Sequence, residues 1–114
     1  MLCTGCIKDR HPGMVVIRAV RWPDQHPLAP SEDLLRDYRG GRISWDQFRG
    51  RYLDQLAWTE SHQPEELWKI IRMAQKREVV LVCYERGDEK TVSCHRRILA
   101  GVLRELAAGF HIII

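Results

Sequence analysis

Residues 94 to 97 read Cys-His-Arg-Arg. A thiol, an imidazole and two guanidiniums can attack a substrate, move a proton and hold an anion. They open the apolar-periodic stretch from Ile98 to Leu106, so they stand at the start of a helix. Free backbone N–H groups there already favour negative charge. Cations in a first turn oppose the helix dipole, and side chains that break a local rule tend to mark function. Cys94 is the best nucleophile candidate, its thiolate favoured by the dipole and by neighbouring charge; the plain alternative is a small capping residue. His95 lies three and four residues before Ile98 and Leu99, which places it on the inner face with Val102, Leu103 and Leu106. Arg96 falls at the boundary, where it would add a bidentate cation at the rim, and Arg97 points to solvent.

Two apolar stretches end in further polar groups. "MVVIRAV" (14–20) carries Arg18 and runs into Arg21 and Trp22, and "EVVLVCYE" (78–85) delivers Cys83, Tyr84 and Glu85. Glu85 can pair with Arg21 or Arg96 or act as a general base; an ion pair is the more frequent outcome. A cysteine-phosphatase loop needs a cysteine, five residues and an arginine. Counting from Cys83 and Cys94 reaches Glu89 and Ala100, so the pattern is absent. "CTGC" (3–6) with His11 has zinc-like spacing, but a structural site takes four ligands, and neither a metal nor a cofactor is expected.

The elements that must position these groups can be read from periodicity and caps. The stretch 14–20 is β-branched and reads as a strand, and "LCTGCI" as another short one. Three prolines within residues 23 to 30 exclude regular structure. Ser31 then caps a short helix with Glu32 and Asp33 in its first turn and Gly40 and Gly41 at its end. Ser44 and Gln47 form a capping box, with Ile43 stapled on Phe48 and Trp45, Phe48, Tyr52, Leu53 and Leu56 as the inner face. A third helix begins near Pro64 and ends in Lys76 and Arg77, with Leu67, Ile70, Ile71 and Ala74 as its stripe. The strand 78–85 is apolar at every position from Val79 to Tyr84, the mark of a strand covered on both faces and so of a parallel sheet. The last helix runs to about Ala108, Gly109 ends it, and "FHIII" reads as a closing strand.

The 114 residues make one domain, 1–114, with 45% apolar and 29% charged residues, an ordinary globular composition. No run is long enough to span a bilayer, and without a secretory signal the expected location is the cytoplasm, with reduced thiols. The net charge of +3 is a mild bias toward anions, short of a dedicated nucleic-acid binder. The fold class is α/β: a single small domain with a largely parallel sheet flanked by helices, in a Rossmann-like three-layer arrangement. Such sheets bind ligands at the carboxyl ends of their strands.

Four stretches together carry a resemblance: "RW" (21–22), "LAPSEDLLRDYRGGRISWDQFRGRY" (28–52), "LVCYE" (81–85) and "CHRRILA" (94–100). They resemble family 488 among the domains of unknown function, the YeaO-like proteins, over roughly residues 14–106. The resemblance implies a small bacterial or archaeal α/β domain whose recurrent polar residues fall on Arg21, Tyr84, Glu85, Cys94, His95 and Arg96. The Cys3–Cys6 pair departs from that signature, and the loop between Glu85 and Cys94 is long for it. The site expected is one polar cleft. Cys94, His95 and Glu85 are its candidate catalytic residues, and Arg18, Arg21, Tyr84 and Arg96 its ligand-binding residues. The expected ligand is a small anion, phosphate- or nucleotide-like. Whether the cleft is catalytic or a non-catalytic binding or interaction module stays open here, and nucleic-acid binding is the weakest alternative.

Overall fold

Three short strands, β1 (Leu2–Cys6), β2 (Val15–Arg18) and β3 (Val79–Cys83), form a sheet in the order β1-β3-β2 with both pairings parallel. The computed structural model describes residues 1–6, 11–18, 26–83 and 95–114. β3 is central. Its Val79 sits in register with Leu2 on one side and Val15 on the other. Val79, Val80, Leu81 and Val82 are all buried, so side chains on both faces of β3 are covered, as its unbroken apolar run requires. Ends of the expected strands at Ala19, Val20, Tyr84 and Glu85 lie outside the described residues.

Four helices pack against this sheet: α1 (Glu32–Arg39), α2 (Trp45–His62), α3 (Glu65–Lys76) and α4 (His95–Ala108). Their boundaries follow the local chemistry. The Ser31 hydroxyl accepts from the Leu34 amide at 3.3 Å and caps α1. α2 opens with a reciprocal box in which the Gln47 amide donates to the Ser44 hydroxyl at 3.1 Å and the Ser44 amide to the Gln47 side-chain oxygen at 2.8 Å. α1 ends in a Schellman motif: Arg42 N–H bonds the Asp37 carbonyl, Gly41 N–H bonds the Tyr38 carbonyl, and Gly41 takes φ 73°.

One hydrophobic core joins the sheet face of Leu2, Val79 and Leu81 to Leu34 of α1, Phe48, Tyr52 and Leu56 of α2, Leu67, Ile70 and Ile71 of α3, and Leu99 and Leu103 of α4. Each such fully buried aliphatic side chain contributes about 1.5–3 kcal/mol relative to exposure. Among the described residues no helix is long and apolar enough to cross a membrane.

Two local expectations are corrected. Residues 110–114 do not form a strand. Instead Ile112 N–H bonds the Ala107 carbonyl and His111 N–H the Ala108 carbonyl, both at 3.0 Å, and His111 takes φ 60°. This is a second Schellman motif, closed by His111 and not by Gly109. It turns the tail so that Ile112 and Ile114 pack on the core and the Ile114 carbonyl meets the Leu2 amide at 3.5 Å. The inner face of α4 is also rotated. His95, Arg96, Leu99, Ala100, Leu103 and Ala107 are buried, whereas Ile98, Val102 and Leu106 are half-buried. Ala100 and Ala107 let the helix approach closely along that row, and the larger side chains are displaced to its flank.

Candidate functional site at the start of the last helix

The direction of α4 fixes where its first turn lies. The Arg104 guanidinium donates to the Leu2 carbonyl at 2.6 Å, so the later half of the helix stands over the beginning of β1. From His95 to Arg104 the helix rises about 13 Å at about 1.5 Å per residue, and the four steps of β1 span about 13 Å at about 3.3 Å each. α4 runs back along strands it follows in the chain, and its first turn therefore lies toward their carboxyl ends. That end is where open parallel sheets bind ligands.

The first turn carries no acidic residue. His95 is 5% exposed and Arg96 3% exposed, while Arg97 is exposed. Arg97 thus behaves as a solvated charge. Arg96 does not sit at the rim: it lies one turn before Ala100 on the buried row and goes inside with it. Charged side chains are rarely buried at all, because removing a guanidinium from water costs several kcal/mol unless an opposite charge and hydrogen bonds offset it.

Tyr52 of α2 stands against His95 and ties α2 to the segment before α1. Tyr52 is fully buried, and its ring meets the imidazole edge-on, with centroids 5.9 Å apart and planes at 88°. Its hydroxyl donates to the Leu28 carbonyl at 2.5 Å. One turn on, the Gln55 side chain donates to the Ala29 carbonyl at 2.8 Å and accepts from the Ser31 amide at 3.0 Å. Leu28, Ala29 and Pro30 are buried as a result. This segment has no regular structure of its own, so α2 side chains satisfy the backbone groups that burial would otherwise leave orphaned. Sequence reasoning took Tyr52 for helix packing and passed over Gln55. The only signal was their shared face, three residues apart on α2.

Of the expected site residues, His95 and Arg96 stand together in the first turn of α4. Arg18 closes β2 as an exposed residue in the alternating half-buried, exposed pattern of that strand. Val15 and Ile17 pack on the core, so Arg18 belongs with Val16 to the sheet face away from it. Arg21, Tyr84, Glu85 and Cys94 lie outside the described residues, as do the side chains of Cys6 and Cys83.

The N-terminal trio is partly in view. The Cys3 thiol donates to the Val79 carbonyl at 3.6 Å. A Cβ on Gly5 would come within 2.5 Å of His11 Cε1, so the present seat of the His11 ring on β1 uses the space that glycine leaves. Among the described residues no three of His, Cys, Asp or Glu gather as a metal-holding group. A hollow of about 290 Å³ lined by Glu60, Val102, Glu105, Leu106, Gly109 and Phe110 opens at the other end of α4, away from His95.

No curated protein and no solved structure matches the chain. The family model of the active DUF488-N3 subclade, DUF488-N3a, matches residues 3–107, from Cys3 in β1 to Ala107 in the last turn of α4. The chain therefore belongs to the DUF488 family, in its active N3a subclade.

Proposed function

We propose that the protein is a small enzyme, or enzyme-like domain, that binds a small anion of the phosphate or nucleotide class at the first turn of α4. The observation that carries this reading is the burial of His95 and Arg96 together, at 5% and 3% exposure, in a helix start without an acid. An anion at a helix start meets backbone N–H donors, the dipole and here a guanidinium at once. Cys94, next to His95 in sequence, is the nucleophile of this reading, and Glu85 its base. Arg21 and Tyr84 are its further ligand contacts; Arg18, on the sheet face away from the core, is not among them. The description of the matched subclade as active accords with an enzyme.

Binding to the folded state alone raises the melting temperature. Phosphate should therefore stabilise the wild type more than chloride at matched ionic strength. The excess should shrink in Arg96→Lys and vanish in Arg96→Ala, and persist in Arg97→Ala. Oxyanions also stabilise folds nonspecifically, so the difference between variants decides. If both arginine variants keep the whole excess, the basic helix start is structural. Iodoacetamide separates enzyme from binding module: Cys94 should react at neutral pH well before Cys83 in the first case, and no faster in the second.

A further inference from the structure

We propose that Tyr52 is a positioning residue for His95, and that it sets the affinity of the anion site through that imidazole without touching the anion. The proposal deepens the anion-site reading and rests on it for its affinity readout. Its geometric half stands alone. The phenol hydroxyl is committed to the Leu28 carbonyl, 2.5 Å away, in a segment that Gln55 holds at Ala29 and Ser31. The ring is thereby tethered at its far end as well as at Cβ. A ring tethered twice presents one fixed edge or face to its neighbour. That neighbour is His95, perpendicular at 88° and 5.9 Å between centroids, the favoured arrangement for two aromatic rings. The imidazole is then confined to one orientation, and Arg96 follows it in the same turn. Sites work when the groups that touch the ligand are locked by a supporting shell, and a loosened shell weakens binding although every ligand contact remains.

The test uses the full chain in three forms: wild type, Tyr52→Phe and Tyr52→Leu. The readouts are the His95 ring proton shifts, by 1H–13C NMR, and the affinity for inorganic phosphate from thermal shift. A ring at this distance displaces the His95 resonances from their free-histidine positions. The displacement should persist in Tyr52→Phe, which keeps the ring, and collapse in Tyr52→Leu. Phosphate affinity should fall by about two- to tenfold in Tyr52→Phe, the equivalent of about one net hydrogen bond, and further in Tyr52→Leu. A purely structural Tyr52 lowers the melting temperature of both variants and leaves the phosphate affinity of the folded protein unchanged; that result overturns the proposal, as does an unmoved His95 spectrum in Tyr52→Leu. If Tyr52→Leu does not fold, the affinity of Tyr52→Phe decides. If the wild type binds no phosphate, the anion reading is refuted, the claim on affinity fails with it, and the spectra still decide whether Tyr52 orients His95.

Discussion

Replacing His111 by glycine should stabilise the fold. His111 holds φ 60° at the left-handed position of the Schellman motif that ends α4. A side chain in that region costs roughly 1–2 kcal/mol, toward the low end for histidine, which tolerates it better than most. The His111 side chain is exposed, so little packing is lost with it. Glycine removes the steric penalty and adds roughly 0.5–1 kcal/mol of unfolded-state freedom. The net gain is about 0.5 kcal/mol, or roughly 2–3 °C in melting temperature for a domain of this size. Alanine, without histidine's tolerance, should fall slightly below wild type, and β-branched valine lowest of all. The assay is urea unfolding followed by circular dichroism, with midpoints compared at constant slope. The order glycine, histidine, alanine, valine is the expectation. Glycine below histidine would refute the claim that His111 is strained at its left-handed φ. Gly41 provides the mirror experiment. It has φ 73°, and nothing lies within 4 Å of a built Cβ. Gly41→Ala should destabilise by about 0.5–1 kcal/mol, from left-handed strain less the unfolded-state gain.

Gln55→Ala removes both side-chain bonds to the buried segment and should cost about 1–3 kcal/mol in the same urea assay. Asp37 accepts from Arg51 at 3.0 Å and Arg42 at 3.3 Å, and the Arg51 hydrogen bond, above all, holds its carboxyl below the usual carboxylate range. A lowered folded-state pKa gives stability that is present above the unfolded value and lost as pH falls through the folded one. Asp37→Asn should therefore be less stable than wild type at neutral pH, with the gap closing on acidification below about pH 4. A gap that is constant with pH would show that the two arginines do not stabilise the Asp37 charge.

What was legible in the sequence was local. The Ser31 cap, the Ser44–Gln47 box, the glycine turn at residues 40–41 and the buried run of β3 each announce themselves within a few residues, because a helix end or a covered strand is satisfied by its own neighbours. The parallel sheet followed from that run. What was misread depended on distance along the chain. "FHIII" has the composition of a strand, but its path is set by the left-handed His111 and by a bond to Leu2 at the other end of the chain. The tie between α2 and the segment before α1 was invisible for the same reason. Tyr52 and Gln55 bond carbonyls 24 and 26 residues away, and a carbonyl acceptor carries no residue-type signal.

The misplacement of Arg96 has a more specific cause, and it bears on the place of the proposed site. The apolar pattern of α4 admits two inner faces. One is centred on Ile98, Val102 and Leu106; the other runs through Ala100, Leu103 and Ala107. Large aliphatics dominate any hydrophobicity pattern, so the first looks stronger. Packing chooses by volume as well as by transfer energy, and helix and sheet come closest where the side chains are small. The alanine row wins, and the row continued toward the N-terminus passes through Arg96. The same rotation that seats α4 on the sheet therefore drives a guanidinium inside, at the end of the helix least suited to a cation. An exposed arginine at position 96 would have left the dipole conflict to solvent, where it is worth only about 0.3–1 kcal/mol. Burial strengthens that conflict and, by the same low dielectric, strengthens the attraction of the guanidinium to an anion. The close packing of α4 and the proposed anion site would then be one feature, since a helix rotated back onto its larger aliphatics would return Arg96 to the rim and weaken both.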